Sequence, residues 1–562
     1  MSRRNKIENQ VQLLPHQIPH AGKIIDIWFK KGSLAVIDTS DRGSGKTFVG
    51  TYMAQLFSQQ YRWKCVVIAP NSQCLDQTNG WLDLANKHGI DYSWTSTYSS
   101  LIGRNGKCNH GYLTCSKNKK SNYEATSKFK ELCANGLFLV LDECHRATRT
   151  SRSHWACAAL IRECYNHGKM CRILLISNTP GDKDEHSIQL LRLTGFMRQT
   201  KMVSYDVYNS TYNWEEYGLG ELVKSAKKFT RDQDKVDDCF SVMVRGAAKK
   251  ISINIYKKCI GPLITSAMTP PKIDATFSAR NAFLKTDPSS VEIINKGLDT
   301  LKSAVRWNGN DVGARREWSL GGIIIGLKMI ELGKLNSISR YVRSRLRREP
   351  KRKFVIAIGA RNLKHQELAQ KIIPIKSLSF SRFRAVYQCW KRNKNWKKIS
   401  KDCFRLIVSC LSEFNESRYP TIMNGKTKAE DRIKIMDDFQ SDNNNCNVLI
   451  ISPGVGSEAI SLHDKHGNRP RTLLLIPDHF FVRTVQTVGR VYRVGTKSDA
   501  EALIVYSKES NLETSVLNCM VRKTKTARSM LAVNQKVSFP GEFPYWIEGE
   551  KNPELEQHLS NI

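Results

Sequence analysis

No run in this 562-residue chain approaches the roughly eighteen consecutive apolar residues that a membrane-crossing helix requires. Nor does Met1-Ser2-Arg3-Arg4-Asn5-Lys6 lead into the apolar core of a signal peptide. The expectation is a soluble, intracellular protein with no membrane partner. Paired Cys-x2-Cys units are missing as well. The 16 cysteines are scattered through apolar segments, as at Cys65, Cys171 and Cys410, which argues against a disulfide framework and suits buried thiols in a reducing compartment. Acidic residues are scarce: 52 Asp and Glu stand against 88 Lys and Arg, a formal charge of +36. Fold does not account for such an excess. It points to a polyanion, nucleic acid first and a membrane surface as the weaker alternative.

The length exceeds what one hydrophobic core can organise, so two or three domains are expected. Ser40-Asp41-Arg42-Gly43-Ser44-Gly45-Lys46-Thr47 is the most informative stretch. It lies between an apolar strand, Ser33 to Asp38, and a helical segment, Thr47 to Gln59, the context of a phosphate-binding loop. Gly43, Ser44 and Gly45 let backbone N–H groups turn toward phosphates, Lys46 adds charge, and Thr47 offers a hydroxyl to Mg²⁺. The common pattern opens on Gly, where this chain has Ser40.

Leu137 to Leu141 reads as a buried strand ending in Asp142-Glu143-Cys144-His145. Adjacent carboxylates at a strand tip are costly unless they meet something positive. Asp142 suits Mg²⁺ and Glu143 suits the orientation of an attacking water, the division that phosphoryl transfer uses. Gln17, shortly upstream of the loop, can donate and accept as an adenine edge requires, although a surface Gln opening a helix is the plain alternative. Ser177 and Thr179 close another buried strand, Arg172 to Ser177, and are read as a link between the carboxylates and a nucleic-acid cleft.

Further on, Phe354 to Ile358, Val448 to Ser452 and Arg471 to Pro477 form a second set of buried-strand patterns. Gln486 to Arg493 follows and is expected to be helical, with Arg490 and Arg493 on one face to meet a γ-phosphate. Within the second set, after Phe354 to Ile358, Lys376 to Tyr419 is a long basic stretch. There Lys391, Arg392 and Trp396 combine phosphate-neutralising charge with an aromatic face, or else belong to an ordinary helical insert. Cys108, His110 and Cys115 lie close together, but they lack zinc-ligand spacing and a fourth ligand, so a solvated loop is the simpler reading.

These motifs together resemble the superfamily 2 helicases, and within them the Swi/Snf-like DNA translocases, including the nucleoside triphosphatases of large DNA viruses. The resemblance runs from about Leu13 to Leu503. It includes Asn424-Gly425-Lys426-Thr427 through Phe439, and Ser452 to Leu462 with Gly456 and Glu458 in place, although Ser457 and Ala459 replace family glycines. It implies an α/β fold of two RecA-like lobes with parallel sheets: residues 1–205, a helical inter-lobe segment 206–350, a second lobe 351–525 with its insertion at about 376–420, and a tail 526–562. It also implies ATP and Mg²⁺ as cofactors. Lys46, Asp142, Glu143, Gln486, Arg490 and Arg493 would be catalytic, and Gly456 and Glu458 would couple ATP to a nucleic-acid track, DNA before RNA. The expected activity is a translocase or helicase in viral-type replication or transcription, in nucleus or cytoplasm, a viral factory or virion included. An RNA-directed DExH helicase, or an assembly factor with weak ATPase, stays open.

Overall fold

The computed structural model describes residues 10–103, 110–115, 123–240, 246–283, 330–358, 421–423, 427–442, 446–452, 460–476, 481–506 and 511–532, single positions excepted, with isolated residues between. The chain divides into two compact units, Met1–Lys272 with Lys525–Phe539, and Ile273–Thr524 with Pro540–Ile562. Among the described residues no helix is long and apolar enough to cross a membrane.

In the first unit, six parallel strands lie in the order β10-β1-β7-β6-β2-β3. They are β1 (Ala35–Asp38), β2 (Lys64–Ala69), β3 (Tyr92–Thr97), β6 (Leu137–Asp142), β7 (Cys171–Ile176) and β10 (Thr265–Ser266). Two short antiparallel ribbons, β4 (Leu113–Cys115) with β5 (Tyr123–Ala125) and β8 (Ser204–Asp206) with β9 (Thr211–Asn213), stand outside the sheet. The central strands are continuous apolar runs because both faces are covered. Ile37, Leu139, Leu141, Ile173 and Leu175 enter one core, while Val36, Phe138, Val140, Leu174 and Ile176 enter the other, the period-two alternation of a strand.

The second unit repeats the plan, with six parallel strands in the order β11-β16-β15-β12-β14-β13. These are β11 (Phe277–Phe283), β12 (Lys353–Ala357), β13 (Thr421–Met423), β14 (Val448–Ile451), β15 (Arg471–Leu475) and β16 (Ala500–Tyr506). Phe354, Ile356, Val448 and Leu474 face one core, and Val355, Leu449, Ile451 and Leu473 the other. The fold is thus α/β with two parallel sheets, as the apolar runs imply.

The boundary falls beside Thr269-Pro270-Pro271-Lys272. Residues 206–272, read from the sequence as part of an inter-lobe segment, belong to the first unit. Leu219, Leu222, Ile251, Ile255 and Ile260 pack into the same core as Leu139 and Ile173, so their apolar faces are satisfied there. Part of the supposed tail returns as well: Met530 joins that core, and the Ala532 N–H donates to Thr39 Oγ1 at 3.2 Å. Insertion residues Lys391, Arg392 and Trp396, together with Gly456 and Glu458, lie outside the described residues.

Candidate nucleotide site

Register decides what meets what. Asp38 pairs with Ile176 and Ile176 with Asp142, so β1, β7 and β6 end at one level and their loops emerge side by side. The carboxyl edge of a parallel sheet is where such folds bind ligands. The loop after β1 turns through Gly43 (φ 77°) and Gly45 (φ 89°), left-handed conformations that favour glycine, into helix α2 (Lys46–Gln60). Successive N–H groups and the helix start therefore point toward one space, an anion cradle.

Within the loop, Lys46 Nζ donates to Ser40 O at 2.7 Å and to Asp41 O at 2.9 Å. Desolvation in this crowded position holds its ammonium below the ordinary lysine range, against the pull of Asp38 and Glu143. Gln17, in the segment before helix α1 (Ile18–Phe29), is buried. It donates through Nε2 to Ser44 O at 3.0 Å and accepts the Leu14 N–H at 2.9 Å. Its amide therefore clasps the phosphate loop from behind, and a Cβ on Gly45 would collide with it.

The two carboxylates differ in state. Asp142 is pushed up to about 6, by burial and then by the charge of Glu143. Glu143 is held well below the ordinary range: burial opposes this, but the hydrogen bond and charge of His145, with Arg42 and Lys46, outweigh it. Glu143 Oε2 stands 3.1 Å from His145 Nδ1 and accepts from Ser177 Oγ at 3.4 Å. Its backbone is left-handed (φ 50°, ψ 52°), a conformation that costs a non-glycine residue about 1–3 kcal/mol and concentrates at functional sites. The turn lets Asp142 and Glu143 serve different neighbours despite being adjacent.

Several groups here had no motif to announce them. Trp81, the fully buried first residue of helix α3 (Trp81–His88), donates Nε1–H to Asp142 Oδ2 at 2.9 Å. Tyr98 OH donates to Asp142 O at 2.9 Å. Arg42 Nη2 donates to Asn178 Oδ1 at 3.2 Å, joining the phosphate loop to the end of β7. Behind the loop Asp38 accepts the Ser40 N–H at 2.9 Å and faces His20 Nε2 at 3.2 Å, both side chains buried. Only Arg42 carried a signal in the sequence, its place inside the loop motif.

The residues present fit Mg²⁺. Thr47 stands in the first turn of α2, and Asp142 is a crowded carboxylate whose charge a divalent cation would offset. Ser177 sits against Glu143, with His145 Nδ1 at 3.1 Å from its Oγ, while Thr179 is buried behind it.

In the second unit, Gln486 and Arg490 lie in the helix Phe481–Val491, the arginine helix. That helix ends at Val491, so Arg493 lies in the turn beyond it, and the one-face helical pairing expected from the sequence is corrected. The two side chains still converge. Arg490 Nη1 donates to Ile460 O at 3.2 Å and Arg493 Nη1 to Ser461 Oγ at 2.9 Å. Burial and then the charge of Arg490 bring Arg493 down to about 10. Elsewhere, Cys108 and His110 Nε2 both engage Leu101 O, and Arg152 donates to Cys115 Sγ, so these three side chains serve loop packing.

The family profile described as "Type III restriction enzyme, res subunit" matches residues 10–182, which contain the phosphate loop and both carboxylates. No curated protein matches the chain. Among solved structures it is similar to the Sulfolobus solfataricus SWI2/SNF2 ATPase core in complex with dsDNA, at 12% identity and TM-score 0.27, covering 96% of this chain and 98% of that one. It is also similar to Mycobacterium smegmatis helicase Lhr bound to ssDNA and AMP-PNP, at 11% identity and TM-score 0.36, covering 90% of this chain and 48% of that one. A third is DUF1998 helicase MrfA bound to DNA and AMPPNP, at 10% identity and TM-score 0.38, covering 91% and 54%. The chain spans about half the length of the latter two. At such TM-scores the strand order and register carry the fold on their own.

Proposed function

We propose that this chain is a nucleic-acid-stimulated ATPase of the superfamily 2 type, acting inside the cell as a translocase or helicase with DNA as its preferred track. The observation that carries the proposal is the convergence of Lys46, Asp142 and Glu143 at the carboxyl ends of β1 and β6, with Glu143 ionised and held in a left-handed turn. The profile match over residues 10–182 supports the ATPase reading. The charge of +36 supports a polyanionic track.

In this reading the glycine turn and the start of α2 bind the phosphates of ATP, with Lys46 leaving its loop carbonyls to meet them. Thr47 and Asp142 would hold Mg²⁺, which when bound offsets phosphate charge. Glu143, kept charged by its neighbours, accepts a hydrogen bond from the attacking water and aligns it. Trp81 and Tyr98 fix Asp142, and His145 with Ser177 fixes Glu143. Arg490 and Arg493 supply charge to the transition state during turnover. Placement in viral-type replication or transcription, and DNA before RNA, rest on the motif resemblance.

The test is ATP turnover by the full chain with no polymer, single-stranded DNA, duplex DNA and RNA. Stimulation by DNA above RNA supports the proposal. Stimulation by RNA alone favours an RNA-directed helicase, and a slow rate indifferent to every polymer favours an assembly factor.

A further inference from the structure

The sheet edge opposite the phosphate loop gathers thiols. Cys133 lies near the end of the helix Ser127–Ala134, Cys164 in the last turn of the helix Arg152–His167, and Cys171 opens β7. All three are buried. Their sulfurs lie within 4.8 Å of one another, Cys133 and Cys164 at 4.0 Å, and Cys171 Sγ contacts Cys133 O at 3.7 Å. One thiol in an apolar core is ordinary packing. Three from separate elements meeting at one point make a donor set, and among the described residues it is the one such group.

The distances suit a particular ion. Thiolates held at about 2.3 Å around tetrahedral zinc stand roughly 3.8 Å apart, so these sulfurs need close by at most about an ångström. A fourth donor is close in sequence, because Cys164-Tyr165-Asn166-His167-Gly168-Lys169-Met170-Cys171 reads Cys-x2-His-x3-Cys, although His167 stands outside the three-sulfur cluster and its ring must swing inward to complete a tetrahedron. His167 Nε2 stands 3.1 Å from Glu163 Oε1, one helical turn earlier. That leaves Nδ1 as the donor nitrogen, with a carboxylate behind the ring, the usual support of a ligating histidine. Gly168, at φ 51°, ends the helix and turns the chain back toward Cys171.

We propose that Cys133, Cys164 and Cys171, completed by His167, form a structural zinc site that binds the helices Ser127–Ala134 and Arg152–His167 to the start of β7. Three thiolates and one imidazole make a closed tetrahedral set with no position for substrate. The site braces the strand whose other end carries Ser177, so it acts on the nucleotide site through rigidity.

The test is metal analysis of the full chain, expressed in zinc-supplemented medium and purified without chelator, followed by cobalt exchange. The expected result is stoichiometric zinc, with thiolate-to-cobalt charge-transfer absorption after exchange. Cys171→Ser should lose the metal, while Cys108→Ser with Cys115→Ser should keep it. Should Cys171→Ser fail to fold, two variants on the accessible rim decide: His167→Ala should abolish the tetrahedral cobalt spectrum, and Glu163→Gln should weaken zinc affinity about 10- to 100-fold. Zinc far below stoichiometric in the wild-type chain, copper in its place, or zinc retained unchanged by both rim variants would overturn the site. None of these readings uses ATP turnover, so failure here is separable from failure of the ATPase proposal.

Discussion

The two units build similar sheets but stabilise charge in opposite ways. In the first, ionic groups gather at the carboxyl edge and oppose one another in sign: Lys46 acts on Glu143 and Asp142, and Arg42 on Glu143. In the second, buried charge lies at the other edge, where Lys353 and Arg471 open β12 and β15. Arg471 Nε donates to Leu462 O at 3.0 Å and its Nη2 to Gln440 Oε1 at 3.1 Å, while Asp464 accepts three backbone N–H groups and the Ser498 hydroxyl. That network ties down the stretch from Leu462 to Arg471. The same stretch begins beside Arg490 and Arg493, two like charges side by side. Charge in the first unit is thus held by mutual attraction, and in the second by a network that anchors the stretch beside a mutually repelling pair.

The largest effect should come from that repelling pair. Arg493→Ala should leave ATP binding near normal and lower the polymer-stimulated rate by roughly 10³- to 10⁵-fold, because charge that acts in the transition state affects turnover more than affinity. A raised KM with unchanged kcat, measured by steady-state kinetics, would instead make Arg493 a ground-state ligand. Salt comes next. About six phosphate contacts imply roughly a thousandfold loss of polymer affinity between 50 and 200 mM salt, read by fluorescence anisotropy. A flat response would assign the basic surplus to something other than a phosphate track.

Asp142 offers a sharper test of the first unit. Trp81→Phe removes a hydrogen bond to a carboxylate, worth about 1.5–3 kcal/mol, so activity at limiting Mg²⁺ should drop about 10- to 100-fold and recover as Mg²⁺ is raised. The pH profile should move too. Asp142 is raised from 3.8 to about 6, so at limiting Mg²⁺ turnover should fall as pH drops through about 6. Losing the indole donor, which favours the charged form, should shift that limb to higher pH. The sign for stability is opposite for the two neighbours. Because its folded pKa is raised, Asp142 loses its stabilising contribution as pH rises from 3.8 to about 6. Glu143, held low, contributes stability above its ordinary 4.5 and loses it as pH falls below.

The smallest effect on turnover should come from the anchoring network. Arg471→Ala leaves Asp464 buried without its cation and should cost about 3–5 kcal/mol, seen by calorimetry as a lower Tm for the second unit, with basal ATP binding retained. An unchanged Tm would show that the backbone donors alone satisfy Asp464.

Most of the fold was legible because buried parallel strands are written as apolar runs, and β2, β6, β7, β12, β14 and β15 all announce themselves so. β11, reading Phe277-Ser278-Ala279-Arg280-Asn281-Ala282-Phe283, does not, since an edge strand tolerates polar residues and draws its place from pairing with β16. Loop chemistry was legible where short motifs fix it, at Lys46 and at Asp142-Glu143. Trp81, Tyr98 and His20 were not, because each acts across a long sequence separation: 61 residues part Trp81 from Asp142. The arginine helix ends before its sequence pattern implies, because Arg493 turns out of it and is held by Thr496, whose Oγ1 accepts the Arg493 N–H at 3.0 Å.

The proposed phosphoryl-transfer site of the first unit, with Glu143 acting on water and Lys46 on phosphate, is tested most directly by measuring ATP binding and turnover together in the wild-type chain, Lys46→Ala and Glu143→Gln. Lys46→Ala should lose both affinity and turnover, whereas Glu143→Gln should bind ATP as tightly as the wild type or tighter while hydrolysing almost none. A Glu143→Gln protein that turns ATP over at the wild-type rate would show that Glu143 does not act on the attacking water.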